Sequence, residues 1–346
     1  LRLSDLRVDA PAADAAEVRD ARTWAQLLNS YREPSVPRSV VEIAVTAGPL
    51  VALWVAMWLA LGVGYWLSLL LALPAAMFLV RLFMIQHDCG HGSFFANRHA
   101  NDWVGRVCGV FTLTPFGIWR RSHNIHHATS GNLEARGMGD IETMTVGEYV
   151  AQPWWERLRY RLYRHPIVLF VIGPAYVFLI ANRLPIGMMR HWRPWISAMA
   201  NNAVIASAIV FMMWLIGIGP FLMVHLPVIL LASSIGVWLF YVQHQFDETV
   251  WADGTAWNLQ HAALKGSSHY DLPPVLRWMT ANIGVHHVHH LSSRIPYYRL
   301  QRVLRDHPEL KEVGRLTLWR SFACVRLALW DEARGRLISF RELRRR

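Results

Sequence analysis

Charge is what this chain has least of. Charged residues make up 17% of its 346 positions, against about 25% in an ordinary soluble domain. That is too little charge to cover a water-facing surface of this size, so the apolar excess is expected to face lipid. From Val41 to Val80 there is no Lys, Arg or Asp, and the single acidic residue is Glu42 near the start. From Pro194 to Leu264 there is again no Lys or Arg. Cysteine is scarce too. Cys89, Cys108 and Cys324 form no paired pattern, which excludes a disulfide scaffold and fits a reducing, cytoplasmic setting. Leu1 to Gln26 lacks the apolar core of a signal peptide, so insertion is expected to rely on internal spans. The initiator Met is missing as well, as in a chain trimmed or offset at its start. Neither HExxH nor a Glu-x-x-His pair occurs, which excludes a zinc protease and a ferritin-like di-iron bundle.

What is present follows from those gaps. A helix crossing a bilayer needs about 20 apolar residues, so each uncharged run has room for two. The spans are expected at about 43–61 and 65–86, turning at Gly62-Val63-Gly64, and at about 196–216 and 221–243, turning at Gly217-Ile218-Gly219-Pro220. Both turns lack Lys and Arg, while Arg-rich segments flank the opposite ends. The positive-inside rule then places both termini in the cytoplasm, in a bacterial inner membrane. The formal charge of +11 sits around apolar spans and not within a nucleic-acid motif, so lipid and not nucleic acid is its expected partner.

The remaining segments read by composition. Residues 1–40 are a polar lead-in, with an amphipathic helix from Asp14 to Tyr31 (Val18, Ala21, Trp24, Ala25 and Leu28 on one face) expected on the membrane surface. Asp14 and Glu17 would cap it. Asn101 to Arg120 is too broken to span. Residues 128–165 form a solvent-side loop with surface helices. Ile167 to Ile180, interrupted by Gly173-Pro174, reads as a half-embedded helix, with a full span as the alternative. Residues 41–310 are the membrane domain, and 311–346 a basic amphipathic segment. Within that segment a helix is expected from Val325, Leu327 and Trp330 through Arg334 to Arg346.

Histidine is where the chain is rich. His87-Asp88-Cys89-Gly90-His91, His123-Asn124-Ile125-His126-His127 and His286-His287-Val288-His289-His290 are three dense groups. On a helix, residues i, i+3 and i+4 share a face, so each group aims two or three imidazoles at one point. Neutral rings packed this densely would lack partners and charged ones would repel; a cation resolves both. His87, His91, His123, His126, His127, His286, His289 and His290 are too many for one four-coordinate zinc. Two ions with several histidines each is the simplest count, and two irons would supply the electrons for O₂ chemistry. His287 is out of phase and set aside. His244, level with the groups at the end of the last span, is open between ligand and lone histidine. Of the nearby polar residues, Asp88 and Asn282 are the candidates for holding outer ring nitrogens, Asn282 because it lies four before His286.

These three groups, with Phe240-Tyr241-Val242-Gln243-His244-Gln245-Phe246 and Gly266-Ser267-Ser268-His269-Tyr270-Asp271-Leu272-Pro273, resemble the membrane fatty acid desaturases, in particular the acyl-lipid omega-6/delta-12-like branch. The resemblance runs from about residue 80 to 310. It implies an all-α integral membrane protein of two transmembrane hairpins, with interfacial helices and a cytosolic helical cap holding a non-haem di-iron centre. It assigns His244 as a further ligand. It implies an O₂-dependent desaturation of a long, lipid-linked acyl chain, with a hydroxylase or acetylenase of the same superfamily as the alternative. A non-catalytic metal-binding membrane protein is a distant third. No His-Pro-Gly-Gly haem motif occurs, so electrons are expected from a separate ferredoxin or b-type cytochrome with its reductase. The walls of the acyl slot are expected near Phe83, Met84, Trp238 and Tyr241.

Overall fold

The computed structural model describes residues 21–345. The capping pair Asp14 and Glu17 and the first half of the expected N-terminal helix lie outside the described residues. From Ala21 the chain forms α1 (Ala21–Asn29), then α2 (Val36–Ala60) and α3 (Tyr65–His91). Two shorter helices follow, α4 (Arg98–Phe111) and α5 (Phe116–Thr129). A strand, β1 (Met144–Thr145), leads into α6 (Val146–Ala151) and α7 (Trp154–Tyr163). A π-helical turn at Val168–Ile172 runs into α8 (Gly173–Leu179), and the second long pair is α9 (Trp192–Ile216) and α10 (Ile218–His244).

Among the described residues, helices α2, α3, α9 and α10 are the four that are each long and apolar enough to cross a membrane. At 1.5 Å per residue their 25–27 residues exceed the roughly 30 Å of a bilayer core. Each is a few residues longer than expected. In α3 the extension is decisive, because the helix continues through His87 and His91 before Gly92 ends it in the left-handed conformation (φ 67°). The first histidine group is therefore part of the span's own helix, not of a loop beyond it. The second turn is tighter than expected, with Gly217 alone between α9 and α10 (φ 90°). Helix α3 is the hub, packing against α2, α4 and α10. Helix α9 is peripheral and turns Val210, Phe211, Trp214 and Leu215 outward.

Between the hairpins, α4 and α5 have 14 residues each, too short to span, and meet at Thr112–Pro115. That turn is buried, and its polar groups are met inside the protein as a bilayer demands. Thr112 donates to Gln86 (2.6 Å), Gln86 to the Thr114 carbonyl (3.4 Å), and Arg183 to the Leu113 carbonyl. The segment from Val168 to Arg183 is helical but bent by 59° from α7.

The end of the bundle that carries the histidines is closed by α11 (Leu259–Lys265), β2 (His269–Asp271), α12 (Pro274–Met279), α13 (His286–Leu291) and α14 (Tyr297–Asp306). Strand β2 pairs in parallel with β3 (Arg315–Thr317). The expected C-terminal helix is not formed. Instead β4 (Leu329–Asp331) and β5 (Arg336–Ile338) make an antiparallel hairpin, and β1 adds to β4. Gly335, in the left-handed region at φ 60°, turns the chain, and Leu329, Trp330, Leu337 and Ile338 are buried. Helix α1 also departs from expectation. Trp24 and Leu28 are buried in the protein, and the Tyr31 hydroxyl just beyond the helix donates to Asp306 at 2.7 Å, so this face serves α14 and not a lipid surface.

Candidate metal centre

The histidine-bearing segments converge because each is helical where it matters. Helix α3 ends on His87 and His91, α5 carries His123, His126 and His127, α10 ends on His244, and α13 begins at His286 and includes His289 and His290. The nine imidazoles sort into two groups. His87, His91, His123, His127 and His289 offer nitrogens within 4.8 Å of one another, and His126, His244, His286 and His290 do the same. His244, open on the residues alone, is thus inside the second group. His287 is not: its Nε2 donates to the Leu310 carbonyl at 2.9 Å, and burial pushes its imidazole down to about 3.

The separations say what these groups can hold. In the first group Nε2 atoms lie 3.1 Å apart along His91–His123, His123–His127 and His127–His289. In the second they lie 3.1, 3.0 and 3.1 Å apart along His126–His244, His244–His286 and His286–His290. An imidazole Nε2 has either one hydrogen or one lone pair, so an atom with two such neighbours cannot bond in-plane to both. A cation shared by the lone pairs can. With metal–nitrogen bonds of about 2.1 Å, nitrogens at right angles stand about 3.0 Å apart and nitrogens at tetrahedral corners about 3.4 Å. The spacing is thus that of nitrogens sharing one metal ion. Imidazole suits iron, copper, nickel and zinc alike.

Protonation agrees. His123, His127, His286, His289 and His290 are held well below their ordinary range, first by burial and then by the neighbouring histidines. They are neutral, the form that binds metal. Unfolded histidine gains its proton below about pH 6.5, whereas these do not when folded. Keeping them neutral therefore costs nothing above that pH and penalises folding increasingly below it. Thermal denaturation in detergent should change little above about pH 7 and fall steeply below about pH 6. An unchanged midpoint at about pH 5 would contradict this reading.

Outer nitrogens are held by carboxylates in two cases. His87 Nδ1 is 3.1 Å from Asp88, whose other oxygen accepts the Tyr297 amide at 2.7 Å. His126 Nδ1 is 2.5 Å from Asp140, which the sequence reading missed. His244 Nδ1 donates to the Gly266 carbonyl at 3.2 Å. Asn282 departs from expectation. Ala281 and Asn282 are left-handed (φ 51° and 57°), so α13 starts only at His286 and the shared helical face does not exist; the Asn282 amide donates to the Tyr297 carbonyl at 3.2 Å. Trp119 stacks on His123 at 4.7 Å and sits where a Cβ on Gly90 would be, 2.8 Å from its ring. This contact accounts for the glycine inside the first histidine group.

A cavity of about 660 Å³ opens against both groups, touching His87, His123 and His286. It runs between α3 and α10, with Leu79, Phe83 and Met84 on one wall and Ile229, Gly236 and Phe240 on the other. Phe83 and Met84 line it as expected. Trp238 and Tyr241 do not: Trp238 packs on Phe170 and Phe322, and the Tyr241 hydroxyl donates to the Cys324 and Leu327 carbonyls. The lining residues are Val237 and Phe240, each one position earlier and so about 100° around the helix.

Comparison with known proteins agrees with this geometry. Residues 64–321 match the family model described as Fatty acid desaturase. The chain is 42% identical over 315 residues to a "Fatty acid desaturase" of Bacillus subtilis (strain 168), covering 91% of this chain and 89% of that protein. It is 29% identical over 264 residues to the "sn-1 acyl-lipid omega-3 desaturase (ferredoxin)" of Synechocystis, covering 70% and 68%. It is 25% identical over 271 residues to the "Acyl-lipid omega-3 desaturase (cytochrome b5), endoplasmic reticulum" of Arabidopsis thaliana, covering 72% and 62%.

Proposed function

The chain belongs to the fatty acid desaturase family and is an oxidoreductase, and from that premise we propose how its parts divide the reaction. Two iron ions are held by the nine histidines, one by His87, His91, His123, His127 and His289, the other by His126, His244, His286 and His290. Asp88 holds the His87 ring. The substrate is a long acyl chain esterified to lipid, as relatives with acyl-lipid names suggest. The observation that carries this reading is the meeting of two imidazole groups, spaced for metal, with a largely apolar cavity of about 660 Å³.

When bound, the iron pair supplies the means of using O₂ to take two hydrogens from adjacent, unactivated methylenes. The balance is one acyl –CH₂–CH₂–, one O₂, two electrons and two protons giving –CH=CH– and two waters. The protein's own contribution is placement and shielding. Leu79, Phe83, Met84 and Phe240 exclude water from the reacting carbons. They also fix the register of the chain through burial worth about 0.8 kcal/mol per CH₂. His87, His123 and His286 line the cavity itself, so the chain lies alongside both groups. Electrons come from a separate carrier, a ferredoxin or a b-type cytochrome. A net charge of +11 favours encounter with an acidic one. We place both termini and the histidines on the cytoplasmic side because both hairpin turns lack Lys and Arg while Arg-rich segments flank the other ends.

The cavity offers its own test. A Cβ on Gly236 would meet nothing within 4 Å, so Gly236→Phe projects into the space the chain needs. Turnover should fall by about 10²-fold, the scale of a misplaced substrate, with two irons still bound. Undiminished turnover would remove this cavity from the account. The function as a whole is tested by expression, with an electron donor, in a host that lacks polyunsaturated lipids. Fatty-acid profiling should show a new double bond that His289→Ala abolishes. Absence of any new product from the wild type would sink the proposal.

A further inference from the structure

The carboxylates behind the two histidine groups are built differently. Asp88 belongs to α3 and is pinned by the Tyr297 amide. Asp140 belongs to a loop, and that loop is also a wall of the acyl cavity: Gly137, Met138 and Gly139 line it. The loop folds on itself through the Gly137 amide, which donates to Asp140 Oδ2 at 3.1 Å, while Asp140 Oδ1 lies 2.5 Å from His126 Nδ1. Gly137 and Gly139 have φ of 130° and 83°, and a Cβ on Gly139 would stand 3.2 Å from the Ser122 carbonyl and 3.3 Å from His126 Cβ. Only glycine lets the loop lie this close to α5. On its other side the Met138 methyl occupies the place of a Cβ on Gly187, 2.8 Å away. Three consecutive residues thus meet the chain's space, and the fourth holds a histidine of the second group.

We propose that Gly137–Asp140 is a strap through which a chain in the cavity sets the position of His126, with Asp140 as the positioning residue. This rests on the two-iron reading above. An acyl chain pressing on Met138 and Gly139 moves or fixes Asp140, and Asp140 carries that to the His126 ring. The five-histidine group has its carboxylate, Asp88, on a span helix, and its His87 and His123 meet the cavity directly. Binding of substrate therefore reaches the His126 iron through Asp140, and that part of the change depends on Met138.

Mössbauer spectra of ⁵⁷Fe-loaded protein in nanodiscs test this, with distearoyl phosphatidylglycerol against dihexanoyl phosphatidylglycerol as probes. In the wild type the long-chain lipid should shift the iron signal that belongs to the His126 group, and the short-chain lipid should not. Met138→Ala should keep two irons and the lipid-free spectrum but lose more than half of that shift. Asp140→Asn, which keeps an acceptor for His126 and removes the charge, should alter the same single signal without lipid. Asp140 variants with wild-type spectra in both lipids, or a full shift in Met138→Ala, would overturn the strap. If Asp140→Asn does not hold iron, Met138→Ala decides alone. A wild type that binds fewer than two irons would instead overturn the reading beneath it.

Discussion

Replacing His244 by alanine is expected to abolish desaturation and to remove one of two bound irons. Its Nε2 stands 3.1 Å from that of His126 and 3.0 Å from that of His286, so it lies between two other members of the four-histidine group. Without it three imidazoles remain, and the two neighbours lose the member that links them. Loss of a partner behind a ligand costs about 10–100-fold, and loss of the ligand itself should exceed that. Metal analysis of the purified protein should fall from two irons per chain towards one, with no new double bond in the lipids. His287→Gln is the control: it lies in α13 beside His286 but outside both groups, and should keep both irons. Wild-type iron and product in His244→Ala would remove it from the centre.

The second large effect is expected on stability and lies at the other end of the buried polar network. Arg81 and Glu42 pair between α3 and α2, each 1% exposed. The Arg81 Nε donates to Thr46 at 3.1 Å, its guanidinium lies 4.1 Å over the Trp278 ring, and another of its nitrogens donates to the Trp278 carbonyl. Glu42 also accepts the Tyr297 hydroxyl at 3.0 Å and pairs with Arg38 at 2.7 Å. Arg81→Met leaves a buried carboxylate with its main partner gone, which costs about 3–5 kcal/mol. The double variant Glu42→Leu, Arg81→Met should recover much of that loss, because it leaves no unpaired charge buried, Arg38 being half exposed. Thermal denaturation in detergent reads both. The damage should also reach the metal centre, since Tyr297 joins Glu42 through its hydroxyl and Asp88 through its amide. A single variant as stable as the wild type would show that the pair is not structural.

How far the sequence could be read depended on whether the information was local. Two apolar runs with glycine turns and histidines at i, i+3 and i+4 are local, and they placed the four helices and the three groups. His244 was half legible: its depth was visible in the sequence, its partners 118 and 42 positions away were not. The face of α10 that lines the cavity was illegible because that helix is apolar all round, so no stripe marks which side meets the substrate and Trp238 and Tyr241 were placed one residue out of phase. Asp140 depends on a loop whose path is set by glycines at positive φ, and nothing in its spacing from His126 announces the contact. Asn282 failed for a related reason, since a left-handed pair ended one helix before the next began. The C-terminal segment has too few residues per strand for periodicity to separate a hairpin from an amphipathic helix.

The mass of the product is the most direct test of desaturation. Reconstituted protein supplied with iron, O₂, a reduced carrier and a saturated long-chain phospholipid should yield an acyl chain lighter by two hydrogen atoms, in step with the iron bound. A chain heavier by one oxygen atom would mean that the same histidines support a hydroxylase, and an unchanged chain on fully iron-loaded protein would contradict the catalytic reading outright.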